Sequence, residues 1–445
     1  YNNHIALWGS HGYYYESKLD RWEWQRARLF STVEDIFTKS ITLSFLVPML
    51  EKSGASVWLP QEREWQTREA IADNDCSTGG ARMTIPDGIS YKSVTPGFLW
   101  KDTLVSGDNP FTLGTSLLFE ASAEEEQEII CYPMPEAGEY GVTVSYQSFD
   151  NSSPEVQLTV HTLAGEREFL VNQKMGGGTW IYLGSFDFQG DGNTPPEKRS
   201  VTISLKGKPG EVISVDAIRF GGGMGNVARR PSGIISANVR SVDDTNGPGA
   251  EMSADPEMFS LKKSGKSRHR EAARYYLQYA GFPDTLVYSL NDGKNDYNDD
   301  YMSRGEWVNY LMGKPNGPLK NSEAGGLKVP VDLAFAFHTD AGITPGDSII
   351  GTLGIYSTWA DSGKFPDGSS RMASRDLSDL IQTQIVEDIR SLYNPHWTRR
   401  GLWDRQYSES WRPNVPVMLL ELLSHQNLAD MKYGLDPGFQ FSVAR

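Results

Sequence analysis

A chain of 445 residues is too long for one ordinary core, so it asks for two or three domains, or for one domain carrying a large insertion. With 38% hydrophobic and 22% charged residues it is globular rather than disordered, and a formal net charge of −15 argues against a nucleic-acid partner, whose phosphates need clustered Lys and Arg. No apolar run approaches the roughly 20 residues that span a bilayer, so no transmembrane segment is expected.

The opening stretch HIALWGSHGYYY predicts a short strand, Ile5 to Trp8, breaking into a polar turn at Gly9 and Ser10. A long helical stretch is expected from about Leu19 to Lys52. There Ile36, Phe37, Ile41, Phe45, Leu46, Met49 and Leu50 keep the three-to-four spacing of one buried face. Pro48 lacks a donor and kinks this helix or begins another, and Gly54 closes it. ASVWLPQER follows as a strand, which completes a strand–helix–strand opening.

After about Asp73 the texture changes. From Gly97 to Phe220, short alternating runs such as EYGVTVSYQS, PEVQLTVHTL and RSVTISLKG are separated by Gly, Pro, Asn and Asp, the pattern of an antiparallel β-sandwich. A Gly-, Ser- and Asp-rich linker occupies roughly 221–266. Helices return in RHREAARYYLQYAGFP and RGEWVNYLMG, on either side of an acidic loop, NDGKNDYNDDY. The strand in PVDLAFAFHTDAG, a helix around SRDLSDLIQTQIVEDIRSLYN and a last strand, PVMLLELLSHQN, follow. The expected fold is α/β, a mostly parallel sheet flanked by helices and interrupted by an all-β sandwich. Residues 1–75 and 266–445 form its two parts, and 76–265 form the insertion with its linkers.

Ligands in open α/β sheets gather beyond the carboxyl ends of the strands. Three apolar strands here end on chemically capable residues: Ile5–Trp8 leads to His11, Val331–Phe337 to His338, and Val417–Leu420 to Glu421. Two imidazoles and a carboxylate at one sheet edge suit a metal site that keeps a position open for water. Each has a plainer reading: a lone His after a strand is usually a hydrogen-bonded loop residue, and Glu421 is also a solvated strand end. STVE reads as a capping box, Ser31 as cap and Glu34 reaching back, and spacing alone favours that role for Glu34. The loop DGKNDYNDD is similar to a calcium loop but lacks the Gly and terminal Glu of an EF-hand. Cys76 and Cys131 fit one disulfide or two inert thiols. No Gly-rich phosphate loop, nucleophile elbow or Cys/His pair stands out.

The order His11, Glu34 ahead of MLEKSGASVWLPQER, FAFHTDAG, RRGLW and PVMLLELLSHQN resembles the zinc-dependent N-acetylmuramoyl-L-alanine amidases of the family-3 type. The resemblance covers roughly residues 1–75 and 270–445. It implies Zn2+ held by His11, Glu34 and His338, with Asp35 the neighbouring candidate for a helix register shifted by one. It implies Glu421 as the base that activates water against the amide between muramic acid and L-alanine. The implied substrate is peptidoglycan or a muropeptide, and the implied location is periplasmic or extracellular, in the bacterial envelope. Tyr13, Tyr14 and Tyr15 are expected either to wall the substrate groove or to serve packing, and Thr339, Asp340 and Arg400 to contact substrate. Ser10 stands where that family has glycine, Asp340 where it has Asn, and ELLS where it has Glu-x-Gly-Phe.

The runs YGVTVSYQS, TWIYLGSFDF and ISVDAIRFGGG resemble the golvesin C-terminal-like β-sandwich, a module attached to polysaccharide-acting proteins that include xanthan lyases. That resemblance implies a glycan partner, with Trp180 and Tyr182 as stacking candidates, or else a spacer. The rival readings are a xanthan-type polysaccharide lyase and a non-catalytic glycan-binding surface protein.

Overall fold

The computed structural model describes residues 3–16, 18–105, 107–124, 127–133, 136–190, 195, 198–225, 263–291, 294–313 and 325–445. Most of the expected linker, 226–262, lies outside the described residues, as do Asp292 and Gly293 of the acidic loop.

Six strands form the central sheet, in the order Trp403–Asp404, Leu353–Tyr356, Val417–Ser424, Val331–Asp340, Asn3–Gly9 and Ala55–Trp58. Every neighbouring pair is parallel except Leu353–Tyr356 against Val417–Ser424. A sheet of this kind must be covered on both faces, which is why its strands read as near-continuous apolar runs. Alternation along each strand then divides the side chains between two cores. Ala6, Trp8, Ala334, Ala336 and Leu419 face the helices that contribute Leu277, Trp307 and Val308. Leu7, Phe335, Phe337, Met418 and Leu420 face those contributing Phe37, Ile41, Ile389 and Phe439. The chain is thus mixed α/β, and among the described residues no helix is long and apolar enough to cross a membrane.

Residues 70–220 form three further sheets in which every pairing is antiparallel. Leu117, Ile129, Val142, Leu158, Ile203, Ile213 and Ile218 from these sheets share one core. Strands Ala70–Asp73 and Ala217–Phe220 belong to both worlds. Ala70, Ala72 and Ile218 point into the all-β core, whereas Ile71 and Ala217 join the core beneath the central sheet. Buried charge ties the same seam: Arg219 pairs with Glu62, Glu69 with Arg268, and the Arg268 guanidinium lies 3.5 Å over the Tyr279 ring.

Two expectations are corrected, and the alternative left open for the cysteines is decided. The helix does not begin near Leu19, because Tyr13–Glu16 and Arg21–Trp24 pair as an antiparallel hairpin. Cross-strand aromatic pairs, Tyr13 with Trp24 and Tyr15 with Trp22, outweigh helix propensity there. Helix begins at Glu34, passes through a π-helical turn at Thr42–Leu46 and continues as Val47–Lys52, with Pro48 near the start of that last segment. The acidic stretch is not a loop throughout: Asp296–Met312 is one helix, capped by the Asn295 side chain. Among the described residues, Asp296 is held by Arg274 and the Tyr275 hydroxyl, and Asp300 by Arg304 and the Arg274 amide. Finally, Cys76 is exposed, Cys131 is buried, and both are free thiols.

Candidate metal centre at the carboxyl edge of the central sheet

The two innermost strands deliver the first pair of groups. His338 and Glu421 are in-register neighbours on Val331–Asp340 and Val417–Ser424, so both side chains leave the same face of the sheet. The third strand, Asn3–Gly9, ends in a sharp turn. Ser10 takes the left-handed conformation at φ 56° and is anchored by its amide to the Phe337 carbonyl at 2.8 Å. Gly12 has φ 126°, and a Cβ there would sit 2.6 Å from the Ala272 backbone, so glycine is required. This turn aims His11 back across the sheet edge.

The expected capping box is absent. Val33 caps the helix, without any side-chain bond, and Ser31 lies two residues upstream. Glu34 is freed to turn inward. Its Oε1 accepts from Ser10 Oγ at 2.8 Å and from the Thr339 amide at 3.1 Å. Asp35 does the capping-like work instead, because its Oδ1 accepts from the amides of His11 at 3.0 Å and Gly12 at 2.9 Å.

His11, Glu34 and His338 converge, each offering a ligand atom within 4.8 Å of the other two. The imidazole rings of His11 and His338 meet edge to face, 4.9 Å between centroids. Burial alone would lift the Glu34 carboxyl, but His11, His338 and His425 outweigh it and hold it well below the usual carboxylate range. Burial alone would lower His338, but Glu409 and Glu34 outweigh that and raise it to about 10. The pocket therefore calls for positive charge. Glu421 goes the other way: burial, helped by the Glu34 and Asp340 charges and opposed by His338, pushes it up to about 8.

The buried polar atoms at this edge that lack a hydrogen-bond partner include Glu34 Oε2, Asp35 Oδ2, Glu421 Oε2, His425 Nε2 and Arg26 Nε. A buried acceptor with no donor is destabilising. A divalent cation among two imidazoles and a carboxylate relieves the deficit at Glu34 and matches the nitrogen and oxygen ligands that zinc takes in hydrolytic sites. The residues present fit the ion.

The remaining predicted residues fall in different places. Thr339 belongs to the site, its hydroxyl 3.2 Å from His425 Nδ1. Asp340 and Arg400 pair with each other, and the Arg400 guanidinium rests 5.3 Å from the Trp403 ring centre, so neither is free at the edge. Tyr13 stacks on Trp22 within the hairpin, and Tyr14 is buried against Tyr297, which makes both packing residues. Trp180, 5% exposed, is enclosed by Phe98, Phe111 and Tyr279, and Arg63 lies 3.7 Å over the Tyr182 ring. Burial takes Trp180 out of the expected sugar-stacking pair, and one face of the Tyr182 ring is covered by Arg63.

Two contributors escaped the sequence reading. Arg26 sits inside the stretch expected to be helical, and its Nε lies 3.6 Å from Glu34 Oε2 with a side chain 39% exposed. Glu409, on the short turn Ser408–Trp411, reaches the far nitrogen of His338 at 3.1 Å. Nothing in local spacing marks either residue.

Residues 94–222 match the Golvesin C-terminal domain. Over 141 residues the chain is 28% identical to a xanthan lyase from Bacillus sp. (strain GL1), a match covering 31% of this chain and 14% of that enzyme. The chain therefore spans only about a seventh of the length of that relative. Among solved structures it is similar to the N-acetylmuramoyl-L-alanine amidase from Clostridium difficile 630, with 18% identity and a TM-score of 0.21 over 26% of this chain and 52% of that one. It is similar also to the catalytic domain of CwlV, an N-acetylmuramoyl-L-alanine amidase from Bacillus(Paenibacillus) polymyxa var. colistinus, with 15% identity and a TM-score of 0.21 over 34% and 80% of the respective chains. The chain thus carries a match to the Golvesin C-terminal domain, and its similar solved structures include N-acetylmuramoyl-L-alanine amidases.

Proposed function

We propose that this chain is a zinc-dependent amidohydrolase that cleaves the amide between N-acetylmuramic acid and L-alanine in peptidoglycan, working in the periplasm or outside the cell. In this reading residues 1–75 and 266–445 make one split catalytic unit, and 76–265 form a golvesin-like insertion. The observation that carries it is the meeting of His11, Glu34 and His338 beside Glu421 at one sheet edge.

His11, Glu34 and His338 would hold the ion, which when bound supplies Lewis acidity to the amide carbonyl and to water. Glu421 takes the proton of the attacking water and returns it to the leaving amine. Its raised proton affinity, due chiefly to burial, favours handing the proton on to the leaving amine. Arg26, half-exposed beside the buried Glu34, would donate to the carbonyl oxygen as charge gathers there. Arg400 is already committed to Asp340 and does not take that part. Thr339, through its amide, keeps Glu34 in place. The insertion packs on the catalytic helices through the Trp180 cluster and the Arg219 pairs, so we assign it a supporting role, with any glycan contact away from Trp180 and Tyr182.

The test is digestion of purified muropeptides, with release of peptides carrying a new L-alanine amino terminus read by mass spectrometry. Turnover that chelation abolishes and added zinc restores supports the reading. The match to a xanthan lyase favours one rival: release of unsaturated sugars from xanthan by chelated protein would overturn the amidase reading and install the lyase. Muropeptide binding without turnover would leave a binding module.

A further inference from the structure

We propose that Glu409 is a positioning residue for His338, fixing which ring nitrogen faces Glu34 and the ion; the inference rests on the metal-centre reading above. An imidazole offers one nitrogen to a metal, and the hydrogen bond on the other nitrogen decides which. His338 shows both faces of that arrangement. Its Nδ1 lies 3.5 Å from Glu34 Oε1, inside the ligand cluster. Its Nε2 lies 3.1 Å from Glu409 Oε2 on the opposite side. A carboxylate accepts only, so Glu409 keeps the proton on Nε2 and leaves the Nδ1 lone pair for the site.

Glu409 is itself held. Arg304 Nε donates to its Oε1 at 2.7 Å, and the Trp8 indole donates to the same oxygen. Arg304 is steadied in turn by Asp300, one helical turn earlier, whose other oxygen accepts the Arg274 amide at 2.8 Å. His338, Glu409, Arg304, Trp8 and Asp300 are all buried, with Arg304 and Trp8 at 0% exposure. A carboxylate in such surroundings without donors would be strongly destabilising, so the guanidinium and the indole are what allow Glu409 to stand there ionised. The chain of contacts runs from the helix Asp296–Met312 through the turn Ser408–Trp411 to the central strand. Three separated segments therefore converge on the orientation of one ring.

If Glu409 served only as an ion-pair partner for Arg304, its loss would lower stability and leave zinc affinity alone. The experiment measures zinc dissociation constants by competition with a chromophoric chelator for the wild type, Glu409→Gln and Glu409→Ala, with near-ultraviolet circular dichroism and melting of the metal-free proteins. Glu409→Ala is expected to weaken zinc by roughly 10–100-fold. Glu409→Gln keeps an amide oxygen for the Nε2 proton and is expected to recover part of that loss while staying more than twofold weaker than wild type. If the alanine variant does not fold, the glutamine variant alone decides. Wild-type protein that binds zinc, with folded variants within twofold of it, overturns this inference and spares the metal-centre reading. Wild-type protein that takes up no zinc overturns both.

Discussion

Two sets of buried carboxylates in this molecule are treated in opposite ways. At the sheet edge Glu34 and Glu409 are drawn well below the ordinary carboxylate range, because the imidazoles around Glu34 and Arg304 with His338 around Glu409 outweigh burial. In the seam of the all-β region, burial pushes Asp73 up to about 8 and Asp216 to about 7, with no cation to oppose it. Asp216 has the Phe98 amide at 2.9 Å and Ser145 Oγ at 2.9 Å, and Asp73 has the Cys76 amide at 3.1 Å, all neutral donors. The desolvation penalty is common to both places, and the charge of the neighbours decides the outcome. Buried acid alone therefore does not mark a site; converging opposite charge does. Glu421 stands at the edge yet behaves like the seam, its carboxyl raised chiefly by burial.

That contrast breaks first at the ligands. His11→Ala should remove stoichiometric zinc, measured by metal analysis after gel filtration, and reduce muropeptide turnover to background. Retained zinc and turnover would mean that the edge is only an ion-pair network like any other. Glu421→Gln should lower kcat by roughly 10²–10⁴-fold with zinc content unchanged, as expected of a group that moves protons without holding the ion. Loss of zinc in that variant would instead make Glu421 a ligand. Arg26→Ala should lower kcat on the order of 10–100-fold while KM changes little, because its donation strengthens as charge develops. A change confined to KM would make Arg26 a binding residue.

The sheet edge was legible in the sequence because strand ends and alternation are local: Ile5–Trp8, Val331–Phe337 and Val417–Leu420 announce both the element and the residue that follows it. Glu34 was ambiguous for a physical reason. Spacing alone favours a cap for a carboxylate at a helix start, and in the fold Asp35, not Glu34, takes the amides of His11 and Gly12. Glu409, Arg304 and Arg26 act over 71, 34 and 8 positions respectively, on His338, His338 and Glu34. Distances of that kind depend on how the insertion and its flanking helices pack, which no local spacing encodes. Trp180 erred for the same reason: an aromatic in a strand reads as a surface platform until Phe98, Phe111 and Tyr279 close over it.

The smallest expected effect lies in the seam and carries the sign of the contrast. Asp73 binds its proton more tightly folded, at about 8, than an unfolded aspartate does at about 4. Its contribution to stability is full below pH 4 and is lost as pH rises from about 4 to about 8. Glu34 and Glu409 run oppositely, contributing above the unfolded carboxylate range and losing that contribution as pH falls through it. Asparagine mimics the protonated form of Asp73 and keeps an oxygen for the Cys76 amide. Asp73→Asn should therefore match wild type in urea melts at or below about pH 4 and exceed it at pH 8 by about 1–3 kcal/mol, the scale of a buried acceptor without its donor. Equal destabilisation at both pH values would mean that Asp73 is ionised and held by a cation after all, and the seam would then join the sheet edge instead of standing against it.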